Sequence, residues 1–144
     1  MMNYYGVVRT NYFHVKDEEK FRALMAKVIC DDGRLELWDD ETDAAGDRLF
    51  GFGVYGSIGG IPDENDKYDD DAYDRFIDEL TECVADDDAV IIFEAGHEKL
   101  RYVGGYVLVV TSKGCEHIDL HEAARRQAQH MLGNNQWNTK TTYY

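Results

Sequence analysis

The alternation of hydrophobic and polar residues predicts five strands along the chain. Residues 4–15 are rich in aromatic and β-branched side chains, which favours a strand that bends near Thr10 and Asn11. Four further strands are predicted over residues 34–38, 48–58, 89–94 and 100–111. The connections include a polar loop at residues 39–47 and an acidic loop at residues 59–70, which we expect to be exposed and mobile.

Three segments have the apolar spacing of amphipathic helices. The first covers residues 16–30, and its predicted buried face consists of Phe21, Leu24, Met25, Val28 and Ile29. The second covers residues 71–85, and its predicted buried stripe consists of Tyr73, Phe76, Ile77, Leu80 and Val84. The third covers residues 120–132, where Asp119 and Glu122 have the spacing of a capping box and Gly133 ends the helix.

The order of these elements predicts an α+β fold. The order is strand, helix, strand, strand, helix, strand, strand, helix, and its first six members match the βαββαβ order of a ferredoxin-like core. We therefore expect a mainly antiparallel sheet that carries about three helices largely on one face. Residues 1–132 are predicted to form a single domain, and residues 133–144 a polar C-terminal tail.

Length and composition restrict the class of protein. A chain of 144 residues is long enough for one domain with a substantial core. It has no apolar run near the ~20 residues of a membrane helix, and its first residues lack the pattern of a secretion signal, so we expect a cytoplasmic protein without a membrane partner. Three widely spaced cysteines predict buried or half-buried free thiols rather than a disulfide framework or a zinc site.

Negative charge is concentrated in the middle of the chain. The net charge is −14, but residues 31–88 contain 21 acidic and four basic residues, a net charge of −17, while the remainder is slightly basic. Such a segment attracts basic surfaces and repels nucleic acid. The predicted partner is therefore a basic protein and not DNA or RNA.

The second predicted helix has a continuous series of carboxylates. Asp70, Asp74, Asp78 and Glu82 are four residues apart, which places them about 6 Å apart along one face. A column of carboxylates at this spacing can imitate part of a nucleic-acid backbone, and arginine or lysine side chains that grip phosphate would accept it. The candidate partner-binding residues are Asp66, Asp69, Asp70, Asp71, Asp74, Asp78, Glu79, Glu82, Asp86, Asp87 and Asp88.

Two other interpretations of these carboxylates remain open. Exposed helix faces are usually charged, and acidic side chains favour solubility and helix N-termini, so the series can be an ordinary solvated face. Calcium prefers oxygen ligands, but the alternating acids and fixed glycine of an EF-hand are absent from the sequence.

Motifs for catalysis are weak. The sequence from Gly51 to Gly56 fits GxGxxG by letter, but it lies within a strand pattern and leads to a loop, so we expect these glycines to permit a bulge or close packing under an aromatic ring. His97, His117 and His121 have no evident third metal ligand or nucleophile. The sequence therefore predicts neither a catalytic centre nor a cofactor.

The size of the chain, its acidic middle segment and the series Asp70, Asp74, Asp78 and Glu82 resemble the small acidic antirestriction and anti-CRISPR proteins of bacterial mobile elements. The resemblance is one of character and not of motif. It implies an inhibitor that occupies the nucleic-acid groove of a restriction or CRISPR nuclease.

Two alternatives use other partners. An immunity protein that neutralises a basic nuclease toxin would rely on the same electrostatic attraction. A small-molecule-binding or enzymatic α+β domain would instead use the glycine-rich segment and His97, and it would have a neutral cleft lined by aromatic residues.

Overall fold

The computed structural model describes residues 5–138, except for the side chains of residues 101 and 102. The elements are β1 (Tyr5–Thr10), α1 (Glu18–Lys27), β2 (Ile29–Asp31), β3 (Glu36–Thr42), β4 (Arg48–Tyr55), β5 (Ser57–Gly60), α2 (Ala72–Cys83), β6 (Val90–Glu98), β7 (Arg101–Thr111), β8 (Gly114–Asp119) and α3 (Leu120–Leu132).

Six strands form one antiparallel sheet in the order β3-β4-β1-β6-β7-β8, and β2 pairs with β5 in a separate small sheet. The part β3-β4-β1-β6, with α1 between β1 and β3 and α2 between β4 and β6, has the strand order of a ferredoxin-like core. The predicted α+β class with a mainly antiparallel sheet is confirmed.

The core lies between one face of the six-stranded sheet and the helices α1 and α2. Phe21 of α1 contacts Phe50 of β4 with ring centroids 5.0 Å apart, and Phe76 of α2 contacts Phe52 with centroids 6.0 Å apart. All four phenylalanines are almost completely buried. Helix α3 contributes no buried residue and contacts β7 and β8. The helices that bear on the candidate site are therefore α1 and α2.

The first predicted helix is too long at its C-terminal end. It ends at Lys27, and Val28 has extended backbone angles while its N–H donates to the Met25 carbonyl. Ile29 then begins β2 and is 45% exposed, so it does not belong to the buried helix face. Val28 and Ile29 are both β-branched, which favours extended structure. The hydrogen bonds between β2 and β5 join residues far apart in sequence, so the local spacing of apolar residues does not indicate them.

The strands predicted at residues 34–38 and 48–58 pair as an antiparallel hairpin of β3 and β4, and the polar loop predicted between them at residues 39–47 is shorter than expected. Strand β3 continues through an irregularity after Trp38 to Thr42, which pairs with Arg48. The turn proper is residues 43–47, and the Asp43 N–H donates to the Asp47 carbonyl at 2.9 Å. The C-terminal residues of β3 are exposed, so they are polar and lack the apolar alternation of a half-buried strand. For this reason the sequence predicted a loop where the strand continues.

Two further boundaries differ from the prediction. The predicted strand at residues 48–58 is divided into β4 and β5 at Gly56. Gly56 has a φ of 120°, a conformation that glycine adopts readily and other residues rarely do. Of the predicted mobile loop, Gly59 and Gly60 belong to β5 and Ile61 is 1% exposed. The Asp63 carboxylate accepts hydrogen bonds from the N–H groups of residues 65 and 67, so this acidic turn has a defined conformation.

Strand β8 is absent from the sequence-based prediction. All six of its residues are exposed, so it has no hydrophobic period, and its place is set by pairing with β7. The next element agrees with the prediction, since α3 spans Leu120–Leu132, the Asp119 side chain accepts from the Glu122 N–H, and Gly133 ends the helix in the left-handed conformation.

Cys83 is buried and Cys30 is half-buried, as expected, but Cys115 in β8 is exposed. The prediction of a single domain with a tail stays a prediction, and residues 139–144 of that tail lie outside the described residues.

Candidate functional site

The predicted partner-binding carboxylates lie on α2, on the turn that enters it and on the turn that follows it. Helix α2 forms because its apolar positions meet the core, and it buries Phe76, Ile77 and Leu80. The same spacing places Asp74 and Asp78 on its exposed side. The acidic column predicted for this helix is therefore exposed to solvent on the helical side of the molecule.

Part of this acidic region is paired with cations of the same chain. Lys20 and Lys27 of α1 reach across to Glu82 and Glu79 at 3.0 and 3.1 Å. The partners of these two lysines are 62 and 52 residues away in sequence, so local patterns give no sign of them. These contacts join the two helices along the edge where they pack, and they partly neutralise the C-terminal half of the column.

Two further carboxylates of the predicted set are paired at the ends of α2. Arg75 Nη2 lies 2.7 Å from Asp69 Oδ1, and this contact lowers the pKa of Asp69. Lys16 Nζ lies 2.9 Å from Asp86 Oδ1 and lowers the pKa of Asp86. Both acids therefore have a structural partner in the folded chain.

Asp88 belongs to an arrangement around His14 that the sequence did not indicate. His14 Nδ1 lies 2.7 Å from Asp88 Oδ2, and His14 Nε2 lies 2.7 Å from Asp43 Oδ2. The Asp43 hydrogen bond, followed by that of Asp88, raises the pKa of His14. The His14 ring lowers the pKa of Asp43 most strongly. Burial alone would raise the pKa of Asp88, but backbone N–H groups of residues 14 and 89 together with the His14 ring lower it.

The imidazole thus joins three segments of chain: the connection before α1, the β3–β4 turn and the turn before β6. The ring is 36% exposed and borders a cavity of about 520 Å³ that Lys16, Arg48 and Asp87 also line. Both ring nitrogens of His14 are bonded to carboxylates, and these bonds connect the three segments. We assign this arrangement a structural role.

Six acids of the predicted set have no such pair within the described part of the chain: Asp87 on the turn after α2, and five that we call the open carboxylates, Asp66, Asp70, Asp71, Asp74 and Asp78. All five are exposed, and none has an ion pair with a residue among 5–138 whose side chain is described. They occupy the turn before α2 and its first two turns. Their charge is directed to solvent.

Tyr68 lies among the open carboxylates and is 46% exposed. A Cβ at Gly59 would overlap the Tyr68 hydroxyl, so the phenol lies directly against β5. Partial burial, followed by the charge of Asp31, raises the pKa of Tyr68. A fixed, half-exposed tyrosine beside carboxylates is a suitable anchor for a protein partner.

The glycine-rich segment does not have the strand-to-helix geometry of a dinucleotide-binding fingerprint. Gly51 and Gly53 lie within β4, and strand β5, not a helix, follows Gly56. A Cβ at Gly53 would come within 2.9 Å of the Trp38 ring, and one at Gly51 within 3.3 Å of the Tyr12 ring. The expectation that these glycines permit close packing under aromatic rings is confirmed.

The histidines singled out in the sequence have separate environments. His97 lies beside Tyr5 with ring centroids 5.7 Å apart, His117 is exposed on β8, and His121 Nε2 lies 2.6 Å from the Val103 carbonyl oxygen. Over the described part of the chain, no three His, Cys, Asp or Glu side chains converge as metal ligands.

One small cavity lies between the sheet and α2. It has a volume of about 240 Å³ and its polar lining groups are Glu94, Tyr73 and Tyr106. Burial, followed by the charge of Glu94, raises the pKa of Tyr73 to about 12. Ligand sites usually have volumes of about 300–1,000 Å³, so this cavity is small for a metabolite.

Comparison with known proteins gives no similarity from which a function follows. No protein-family model matches the chain, and no curated protein or solved structure resembles it significantly. None of the helices in residues 5–138 is long and apolar enough to cross a bilayer. The functional assignment therefore depends on the residues themselves.

Proposed function

We propose that this protein is an acidic inhibitor that acts in the cytoplasm by occupying the nucleic-acid-binding surface of a basic partner, as an antirestriction or anti-CRISPR protein would. The observation that carries the proposal is the division of charge on α2. Lysines pair with Glu79 and Glu82 in the C-terminal half of α2, whereas the open carboxylates face solvent without an ion pair among the described side chains.

Carboxylates on α2 and on the turn before it repel one another. Asp74 and Asp78 lie four residues apart on one face of α2, and like charges at this spacing destabilise a helix by about 0.2–0.5 kcal/mol per pair. Asp70 adds a further negative charge on the turn that enters the helix. Solubility does not require this concentration, because the net charge of −14 is already large. A partner that supplies arginine and lysine side chains relieves the repulsion and forms charge-assisted hydrogen bonds.

The structure around the column favours a rigid binding surface. Helix α2 is fixed by its buried apolar face, and α1 is tied to it by two ion pairs. Asp63 organises the turn that carries Asp66 through two backbone hydrogen bonds. Carboxylates on a preformed surface lose little conformational freedom on binding, which favours affinity.

A displacement experiment tests the proposal. Restriction and CRISPR nucleases are loaded with fluorescent duplex DNA, and the release of DNA is followed as the full chain is added. Poly-L-glutamate of equal total charge is the control for unspecific competition. We expect the chain to displace DNA from at least one nuclease at concentrations where poly-L-glutamate does not, with an affinity that falls as salt rises. Displacement no better than that by poly-L-glutamate, or displacement insensitive to salt, would contradict the proposal.

An immunity protein remains the second candidate, because the same open carboxylates would bind a basic nuclease toxin. A nuclease toxin domain is therefore included in the same panel. Selective inhibition of that toxin, with no effect on restriction or CRISPR nucleases, would assign the protein to the immunity class.

A further inference from the structure

The six-stranded sheet has a second face on which neither α1 nor α2 packs, and Leu120 at the start of α3 reaches it beside Gly105. Helices α1 and α2 pack on the face that carries Phe52 and Ile92, and the alternation of side chains directs the other set outward. Pairing fixes the neighbours on that outer face: Val7 is opposite both Tyr55 and Ala95, and Phe93 is opposite Val107, which is opposite Ile118. We call this surface the outer sheet face.

The outer sheet face is strongly apolar for an exposed surface. Six large apolar side chains on its strands are exposed: Tyr5 at 64%, Val7 at 42%, Tyr55 at 77%, Phe93 at 50%, Val103 at 46% and Ile118 at 49%. If a fully exposed side chain presents about 150–200 Å², these six expose roughly 500–650 Å². The largest apolar patch on a typical monomer is about 300–600 Å², so this face is at or above that range.

Negative charge on the outer sheet face is confined to its margins. Its described carboxylates are those of Glu36 and Glu41 on β3 and Glu116 on β8, at opposite edges of the sheet. The outward positions of β4, β1, β6 and β7 contain no described carboxylate, and Arg9 lies over the Trp38 ring at 4.3 Å. The centre of the face therefore has the cation Arg9 and no described carboxylate, in a chain whose net charge is −14.

We propose that the outer sheet face binds a second copy of this chain, back to back, to form a twofold-symmetric dimer. Electrostatics selects this occupant, because two copies of so acidic a protein can approach closely only where carboxylates are absent. Back-to-back packing directs both sets of open carboxylates away from the interface, since α2 lies on the other side of each sheet. Sheets packed in this way are about 10 Å apart, which fits interdigitated side chains such as Phe93 and Val107.

Area and shape support the same occupant. A stable interface buries about 800 Å² per partner, which the six exposed side chains approach, and the half-buried Val107 and Val109 add to their area. At one end of the face, the 88% exposed Leu100 borders a hollow of about 580 Å³ between Tyr5 and Val103. A twofold interface needs such a projection and recess on the same surface.

The oligomeric state of the full chain tests this inference by sedimentation equilibrium from about 1 µM to about 200 µM. We expect twice the mass of one chain, and tighter association at higher salt because salt screens the repulsion between two acidic copies. Binding of a basic partner weakens with salt, so the two associations are distinguishable by the sign of the effect. A monomer over the whole range, or assemblies larger than two, would overturn the inference.

Variants locate the interface. Phe93→Asp should weaken self-association at least 10-fold, whereas Ile29→Asp, which adds the same charge at a 45% exposed residue of the small sheet, should leave it unchanged. Tyr55→Ser removes a ring that is 77% exposed and lies outside the core. It replaces Phe93→Asp in the test if circular dichroism shows that Phe93→Asp is not folded. Undiminished self-association in the folded variants, or equal loss in Ile29→Asp, would show that the copies do not meet through the outer sheet face.

Discussion

His14 and Asp88 are joined twice by the same carboxylate oxygen. Asp88 Oδ2 lies 2.7 Å from the ring Nδ1 and 2.8 Å from the backbone N of His14. The other ring nitrogen is bonded to Asp43, so a protonated imidazole donates a hydrogen bond to a carboxylate on each side. The packing of the turn before β6 against the segment before α1 is therefore linked to the charge of one histidine.

This link predicts how stability changes with pH. The folded pKa of His14 is raised above the ordinary 6.5, so its contribution is fully present below about pH 6.5 and is lost as pH rises through the folded pKa. We expect His14→Gln to lower the free energy of unfolding at pH 6, with a difference from wild type that shrinks toward pH 9. Urea unfolding at several pH values measures this difference. A difference that does not change with pH would mean that His14 acts by packing alone.

Asn11 is predicted to stabilise the junction of β1 with β6. Its Oδ1 accepts from the Ile91 N–H at 2.7 Å, and its Nδ2 donates to the Ala89 carbonyl at 3.1 Å. Asn11→Ala leaves a part-buried N–H without its partner, and we expect a loss of about 1–3 kcal/mol in the free energy of unfolding. Asn65→Ala in the exposed turn is the control, with an expected change within about 0.5 kcal/mol. Equal effects of the two substitutions in urea unfolding would show that the Asn11 contacts are unimportant.

Gly53 and Gly51 provide a graded test of the packing under the aromatic rings. A Cβ at Gly53 would lie 2.7 Å from the Val8 carbonyl oxygen, which belongs to the rigid sheet. A Cβ at Gly51 would lie 3.3 Å from the Tyr12 ring, which can move. We expect Gly53→Ala to lower the free energy of unfolding by about 1–3 kcal/mol and Gly51→Ala by less. The reverse order in thermal or urea unfolding would contradict this account of the glycine-rich segment.

The sequence was sufficient where local chemistry decides the structure. Asp119, Glu122 and Gly133 determine both ends of α3 because caps act within a few residues. The spacing of apolar residues likewise predicted the buried stripe of α2. Its last member, Val84, is buried as predicted, but it follows the end of the helix at Cys83.

Contacts between distant residues were not predictable. Strand β8 has no apolar period, since all its residues are exposed at the sheet edge. The pairing of Lys20 with Glu82, and of His14 with Asp88, joins residues more than 60 positions apart, so only the folded chain separates paired acids from the open carboxylates. Asp88 in particular looked like a further surface charge in the sequence and has a structural role in the fold.

If the proposed function is right, the open carboxylates, rather than net charge, bind the basic partner. Two triple variants distinguish these possibilities: Asp70, Asp74 and Asp78 changed to Asn, and Glu36, Glu41 and Glu116 on the outer sheet face changed to Gln. Each changes the net charge from −14 to −11. Both should fold, which circular dichroism checks, because all six side chains are exposed.

The measurement is the affinity of each variant for a nuclease from which the parent chain displaces DNA. Exposed charge contacts contribute about 0.2–1 kcal/mol each, so the Asp70, Asp74 and Asp78 variant should bind roughly 3-fold to 100-fold more weakly than the parent. The outer-face variant should bind nearly as tightly as the parent. Equal affinities of the two variants would contradict the claim, because only net charge would then matter.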